Sequence, residues 1–465
     1  MKSSAGVLHL ALGVLLGFAA AAPPEAQAEI RASSKRSLGS KVNGVKGGSC
    51  NKGRCRISGG QRAGKNLFHR FRDFDTRGAI RDVRFQTGKA KNLFVGVTSP
   101  LGSFIDKRIE LSSKANVFWL SPGGMVLGSG ADFVNTPQLQ LSTAGKLNFD
   151  AGQFDVFSSS ADDLALLRGE PLPGALGLQA TPQLESDAGL LPGIHLNGIN
   201  ISIDDDLLID APGGQVAVEN STLSVSAEEG VGGTLMLTGE QIEIDGNSQF
   251  IATGPEGGGL IQVGGSWQNS DPSVRQSVKA TVESGAVLDA SATDIGNGGE
   301  IVVWSDITNP YAVTSVAGSL SVEAGIAGGD GGRIETSGAD LDIAGIDVST
   351  YSPTGENGLW LLDPTDYIIG EDAATAIGSA LEGGNDVTVL VSGGNCDASY
   401  ATSSCTVGTP SGGGLTTAAG GGGDDRIKID RFINASTSAA VTLTLEAPGG
   451  VVLDDYISIK TYGSG

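Results

Sequence analysis

Aromatic residues make up only 5% of this 465-residue chain, and it holds four cysteines and three histidines. The cysteines fall in two close pairs, Cys50/Cys55 and Cys396/Cys405, with no histidine beside either. Those spacings do not suit a zinc site, and neither a metal nor a cofactor is expected. After the first 28 residues no run is long and apolar enough to cross a bilayer as a helix. Phosphate-loop and dinucleotide fingerprints are missing.

Glycine is abundant instead. It supplies 72 residues, about double the usual ~7%. The apolar share is 39%, somewhat below the usual ~45–50%. Such a composition raises disorder as the first alternative. The placement of Val, Ile and Leu argues against it, because they alternate with polar residues, and disordered chains lack them.

The first residues form a signal peptide. Lys2 gives a positive start, Val7 to Ala22 is apolar, and Ala26-Gln27-Ala28 is a small-x-small cleavage site. Cleavage is expected between Ala28 and Glu29. An uncleaved anchor is the alternative, but the apolar stretch is short for one. In an exported chain each cysteine pair reads as a local disulfide, Cys50–Cys55 and Cys396–Cys405. Charge is polarised: residues 29–115 hold 20 Lys and Arg against 6 Asp and Glu, and residues 116–465 hold 9 against 45. A basic head on an acidic body suits an anionic partner, or simply a set of solvated faces. Nucleic acid is not an expected partner of an exported chain.

One formula recurs through the body: a glycine turn, then a short strand with period-2 apolar residues. Val216 and Val218 are followed by Leu223 and Val225. Nineteen residues after Val216 the pattern returns at Leu235 and Leu237, then Ile242 and Ile244. Ile301 and Val303, Leu320 and Val322, Ile334, and Ile346 and Val348 repeat it. The period drifts between roughly 14 and 25 residues. One coil buries about four apolar side chains at roughly 1.5–3 kcal/mol each. Ordering about 20 residues costs at least ~20 kcal/mol of backbone entropy. A coil alone cannot fold, so the repeats must stack. The expected fold is all-β, a right-handed parallel β-helix with an N-terminal cap, about 15 coils and on the order of 70 Å long. A β-propeller is the runner-up; it needs a period of ~40–50 residues.

Five ordered segments carry a family likeness. They are Ile57-Ser58-Gly59-Gly60 with Asn66-Leu67-Phe68-His69-Arg70-Phe71; Asn92-Leu93-Phe94 to Ile105-Asp106; Asn116-Val117-Phe118-Trp119-Leu120-Ser121-Pro122-Gly123-Gly124; Asn297-Gly298-Gly299 to Trp304-Ser305-Asp306; and Leu361-Leu362-Asp363-Pro364-Thr365-Asp366. Together, over roughly residues 55–370, they resemble the filamentous-haemagglutinin N-terminal domain, also called the two-partner-secretion domain, and the large exoproteins that carry it. The chain departs at Arg70, which stands where the family has Ser. Ser121 and Gly123 replace both asparagines of an Asn-Pro-Asn turn, and Lys107 replaces a glycine.

The resemblance implies a partner, an outer-membrane barrel transporter that reads the N-terminal domain as the chain threads out unfolded. It implies a surface or released adhesin of a Gram-negative bacterium, reached through periplasm and outer membrane. Its receptor would lie on a host or neighbouring cell. The residues implied in recognition are Asn66, Leu67, Phe68, His69, Phe71, Asn116, Trp119, Pro122, Gly123 and Gly124. The cluster Phe68, Phe71 and Phe74, with Arg70 and Arg72, could cap the solenoid or form the surface the transporter reads. The expected division is 1–28 signal, 29–280 secretion domain, 281–370 β-helix continuation and 371–465 a looser β-repeat, with the chain read as truncated or as a short family member.

The competing functions are the export and stalk region of a larger toxin, haemolysin or contact-dependent inhibitor, and a β-helix polysaccharide-degrading enzyme. No catalytic residue is assigned. Asp204-Asp205-Asp206 and Asp424-Asp425 read as solvated loops, and His195 has no nucleophile motif beside it. Gly328-Gly329-Asp330-Gly331-Gly332 resembles a calcium-binding repeat but occurs once, so it reads as a turn.

Overall fold

The computed structural model describes residues 28–33, 38–149, 151–158, 167–168, 178–179, 191–391, 426–437, 440–454 and 459–462. Cys396, Cys405, the glycine-rich stretch 412–423 and Asp424-Asp425 lie outside the described residues.

Strands with alternating apolar side chains have one face to bury. Here they bury it by winding into a right-handed parallel β-helix of three faces. On the first face one row of cross-strand partners runs through Leu67, Leu93, Val117, Leu139, Leu207 and Leu235. It continues through Ile261, Ile301, Ile334, Trp360, Val387 and Leu443. All but Leu443 are fully buried. Twelve described layers make a stack of roughly 50 Å. The second face has its own interior row, from Ile105 and Leu127 through Leu196, Val218 and Ile244 to Val282 and Val316. Ile201, Leu223, Phe250, Leu288, Leu320 and Val348 form the row of the third.

A coil is longer than the sequence period suggests. Equivalent residues in successive coils are 26, 24 and 28 apart at Asn66–Asn92, Asn92–Asn116 and Asp210–Thr238. The nineteen-residue interval is a step between faces. Val216 pairs with Ile242 on the second face, whereas Leu235 pairs with Leu207 on the first. The long strands Asp206–Glu219 and Thr234–Ile244 run round the corner and serve both.

The N-terminal end is sealed by antiparallel strands. Ile30–Ala32 and Gln61–Ala63 pair antiparallel with Asn66–Asp75, and Ser40–Val42 pairs with Gly53–Gly59. Ile30, Ala32, Val42 and Cys50 turn inward and close the core. Capping therefore falls to the strands Ile30–Ala32, Ser40–Val42 and Gln61–Ala63. Phe71 and Phe74 lie inside the first coil, both buried, and Phe68 points out of it beneath a covering segment. Cys50 and Cys55 are joined across a sequence separation of 5. Closing so small a loop limits the unfolded chain and contributes about 2 kcal/mol.

One coil replaces a strand with an α-helix, Glu371–Glu382. It packs between the strands Asp347–Ser349 and Ile433–Ser436. Ala373, Ala374, Ile377, Ala380 and Leu381 face inward at helical spacing, and Glu371 and Asp372 in the first turn suit the helix dipole. Gly378 lets the helix touch its neighbour, since a Cβ there would lie 2.5 Å from the Asn434 carbonyl oxygen.

Candidate functional site

Three of the quoted sequence motifs are the same place in three successive coils. Asn66-Leu67-Phe68, Asn92-Leu93-Phe94 and Asn116-Val117-Phe118 lie in register on the first face. The asparagines form a ladder. Asn92 Nδ2 donates to Asn66 Oδ1 at 2.8 Å, Asn116 Nδ2 donates to Asn92 Oδ1 at 3.2 Å, and Asn66 Nδ2 donates to the Leu167 carbonyl at 2.9 Å. Side-chain amides repeated at strand spacing satisfy one another, which a single Asn could not do.

The phenylalanines stack outside the helix. Ring centroids are 4.7 Å apart for Phe68–Phe94 and 4.8 Å for Phe94–Phe118, with planes nearly parallel. Three aromatic rings in water would be a liability. A segment inserted between coils covers them: the strands Lys146–Phe149 and Gly152–Asp155 pair antiparallel, and Phe149, Phe154 and Leu167 pack on the stack. Arg70 clamps this cover. Its Nη1 donates to the Ser158 carbonyl and its Nη2 to the Asp155 carbonyl, both at 2.7 Å, and its guanidinium lies 5.6 Å from the Phe154 ring centre. Gly96, beside Arg70 in the next coil, leaves room for Phe154.

Inside the helix, His69 begins a row that runs on through Val95, Trp119, Leu141, Ile209, Leu237, Val263 and Val303. It is fully buried, with Nδ1 2.9 Å from Ser40 Oγ. Burial, helped by nearby Arg62, pulls its pKa down to about 3, so the ring is neutral. Trp119 packs edge-on against Phe74 and donates from Nε1 to Ser103 Oγ at 3.1 Å. Ser103 donates to Ser121, and Ser121 donates to the Gly124 carbonyl. The Pro122-Gly123-Gly124 turn is pressed against the preceding coil. A Cβ on Gly123 would lie 2.3 Å from the Ser99 carbonyl oxygen, and Gly124 has φ +96°. Gly123 thus fits where an asparagine side chain would meet the preceding coil, and Ser121 links Ser103 to the turn.

The residues singled out from the sequence are therefore brought together, but not on a surface. Asn66, Leu67, Phe68, His69, Phe71, Trp119, Pro122 and Gly124 are buried, and Asn116 and Gly123 are half-buried.

Two buried carboxylates went unnoticed in the sequence. Asp210 accepts from Ser142 Oγ at 3.0 Å and Thr238 Oγ1 at 2.8 Å, and pairs with Arg275 at 3.3 Å. Burial raises its pKa, against the pull of Arg275. Glu335 lies in the outward row that begins at Phe68 and Phe94, under a second inserted segment. It accepts from the Gln268 N–H at 2.7 Å and Ser337 Oγ at 2.9 Å. Burial, helped by Asp363, raises its pKa to about 8, while the Gln268 hydrogen bond opposes the rise. Polar residues at an outward position read as solvated unless the cover is known, which is why the sequence hid them.

His195 sits on the outer side of the second face between Val126 and Ala217. Asp204 pairs with Lys114 at 2.8 Å, both exposed. Asp330 is held in its turn by Asn297 and by the Glu356 N–H. Among the described residues no group of three or more His, Cys, Asp or Glu is placed to hold a metal ion, and no helix is long and apolar enough to cross a membrane.

The architecture defines a β-solenoid with a sealed N-terminal end and a covered aromatic ladder on its first coils. The family model of the TPS (two-partner secretion) secretion domain matches residues 36–303, more than half of the chain, and the chain belongs to that family. It is a two-partner-secretion exoprotein, of the kind exported across the outer membrane of Gram-negative bacteria. No curated protein sequence matches it.

Proposed function

We propose that an outer-membrane transporter reads the segment around Asn66–Phe71 and Asn116–Gly124 while the chain is unfolded, and that the folded solenoid then acts as a surface or released adhesin. The observation that carries this is burial. Side chains that mark the family in sequence are inaccessible once the first coils close, so any reader must meet them before folding. The energetics support the order of events, because a coil that cannot fold singly stays extended in transit. Parallel strand pairing is also slow, since it closes long loops. The first coil to emerge, sealed by its antiparallel cap, offers an edge on which the next can pair. Removal of the signal after Ala28 would leave the first cap strand, Ile30–Ala32, whole. The adhesin reading draws on the rigid, extended faces that stacked coils present; its receptor would be a glycan or protein on a host or neighbouring cell.

The test compares two double variants. Asn66→Ala/Phe68→Ala should cut secreted protein at least tenfold, with accumulation in the periplasm. Asn92→Ala/Phe94→Ala removes the same kinds of contact one coil later and should be exported more nearly normally. Normal export of the first pair would refute recognition at Asn66 and Phe68. Equal loss from both pairs would assign the effect to folding.

A further inference from the structure

The third face of the first coils carries an arrangement that the fold does not need. Strand Gly53–Gly59 lies beside Ile80–Phe85, and Arg56 is the direct cross-strand partner of Arg84. Like charges directly opposite each other on neighbouring strands are destabilising. Elsewhere on this face the chain sets opposite charges against each other. Arg54 faces Asp82 at 2.5 Å, and Arg108 is the partner of Asp132. The Arg56–Arg84 step breaks that pattern, and local rules are broken most often where a protein functions.

Neither guanidinium is held by a hydrogen bond to a carboxylate among the described residues. Arg84 forms an ion pair with Glu110, its partner on the next strand, but only at 3.8 Å, beyond hydrogen-bond distance. The Arg84 Nε is buried without a partner. Arg56 uses its backbone N–H, which donates to Asn43 Oδ1 at 2.9 Å, while its exposed side chain makes no hydrogen bond or ion pair among the described residues.

Both arginines open, with Arg54, into one depression of about 680 Å³. The rim is polar throughout. The Asn43-Gly44 turn, with φ of 50° and 84°, is the tight hairpin turn that Asn-Gly favours. Because Asn43 Oδ1 accepts from Arg56, its amide nitrogen is left as a donor. Ser58 and Gln86 complete the wall. The Cys50–Cys55 disulfide ties down the strand between Arg54 and Arg56.

We propose that this depression binds a sulfate or phosphate monoester carried by a saccharide. Guanidinium forks donate paired N–H groups to oxyanions, and an oxyanion between Arg56 and Arg84 would relieve their repulsion. The amides and the hydroxyl on the rim suit sugar hydroxyls. A lipid surface is a poorer match. No apolar side chain lines the depression, and the row Arg54, Asp82, Arg108, Asp132 alternates in sign, which cancels attraction to a uniformly charged plane.

The proposal rests on the adhesin reading and names its ligand class. The experiment titrates the purified mature chain, by calorimetry, with a sulfated hexasaccharide, a phosphorylated oligosaccharide and the unsubstituted sugar. Inorganic sulfate and vesicles of anionic phospholipid are the further arms. At least one ester-bearing sugar should bind tenfold or more tightly than the unsubstituted one, and whichever does so identifies the ester. Arg56→Ala/Arg84→Ala should lose that binding at least tenfold, while Lys52→Ala/Lys89→Ala, an equal loss of charge, should change it less than threefold. The arginine double variant should also melt at or above the parent temperature. No binding, equal loss in the lysine control, binding of inorganic sulfate alone, equal affinity for vesicles, or a lower melting temperature would each overturn the site. Failure here leaves adhesion through another surface standing. Intact sugar binding by a chain that attaches to no cell would instead fault the adhesin reading alone.

Discussion

Lowering the pH from 6.5 to 3 should cost the fold roughly 4–5 kcal/mol through His69 alone. The ring is fully buried in the interior row of the first coil, and its pKa is about 3 against 6.5 in an unfolded chain. Between those values the unfolded chain binds one proton more than the folded one. Stability therefore rises with pH across the window and is lost as pH falls through it. The groups around the ring do nothing to rescue the charged form: Arg62 is cationic, and Ser40, Phe71 and Phe85 are neutral. His69→Asn keeps an acceptor for Ser40 and removes the titration. It should be weaker than the parent at pH 7, by about 1–3 kcal/mol for the lost ring volume. The parent-minus-variant difference should then close, and reverse, by pH 3.5. Urea midpoints followed by circular dichroism at pH 7, 5 and 3.5 would decide it; a difference that stays constant across the three would show that His69 titrates in the fold as it does in the unfolded chain.

The interior ladders were plain in the sequence because period-2 alternation of Val, Ile and Leu leaves little choice but a sheet with one buried side. Coil length was not, for a physical reason. Two faces share single long strands in Asp206–Glu219 and Thr234–Ile244, so counting from strand to strand mixes steps within a coil with steps between coils. Asn66-Leu67-Phe68, Asn92-Leu93-Phe94 and Asn116-Val117-Phe118 held the true spacing, but were read as separate motifs. The helix Glu371–Glu382 lay in a region read as β-repeat. Its own signals are local: two acids, then alanines with Ile377 and Leu381 one turn apart. Burial of Phe68, Arg70 and Glu335 was beyond reach, because the segments that cover them are insertions whose position depends on the finished solenoid. The same holds for Arg56 and Arg84, 28 residues apart, which meet only once the register of the first coils is set.

Replacing Glu335 by Gln should stabilise the protein at pH 9 by roughly 3–5 kcal/mol and leave it nearly unchanged at pH 4.5. The folded carboxyl has a pKa of about 8 against 4.5 unfolded. From pH 4.5 to 8 the folded chain holds the extra proton, so stability present at low pH is lost as pH rises through the window. Like-charged Asp363 and Glu300 add to the cost of ionising it, and the Gln268 N–H and Ser337 hydroxyl only partly offset it. A Gln amide at this position can accept from Gln268 and donate to Ser337 without taking a charge. His69 and Glu335 then act in opposition. Between pH 4.5 and 6.5 one proton is gained by each state, and the two slopes cancel into a plateau. Below it His69 sets the fall, and above it Glu335 does. Glu335→Gln should leave the His69 slope alone, with stability rising up to pH 6.5 and level above it, and His69→Asn should leave the Glu335 slope alone, level below pH 4.5 and falling from there to pH 8. Unfolding midpoints of the parent and both variants from pH 3.5 to 9 test the pair together. If Glu335→Gln is no more stable than the parent at pH 9, Glu335 is ionised there at little cost, and the segment around Trp267 does not exclude water as its burial implies.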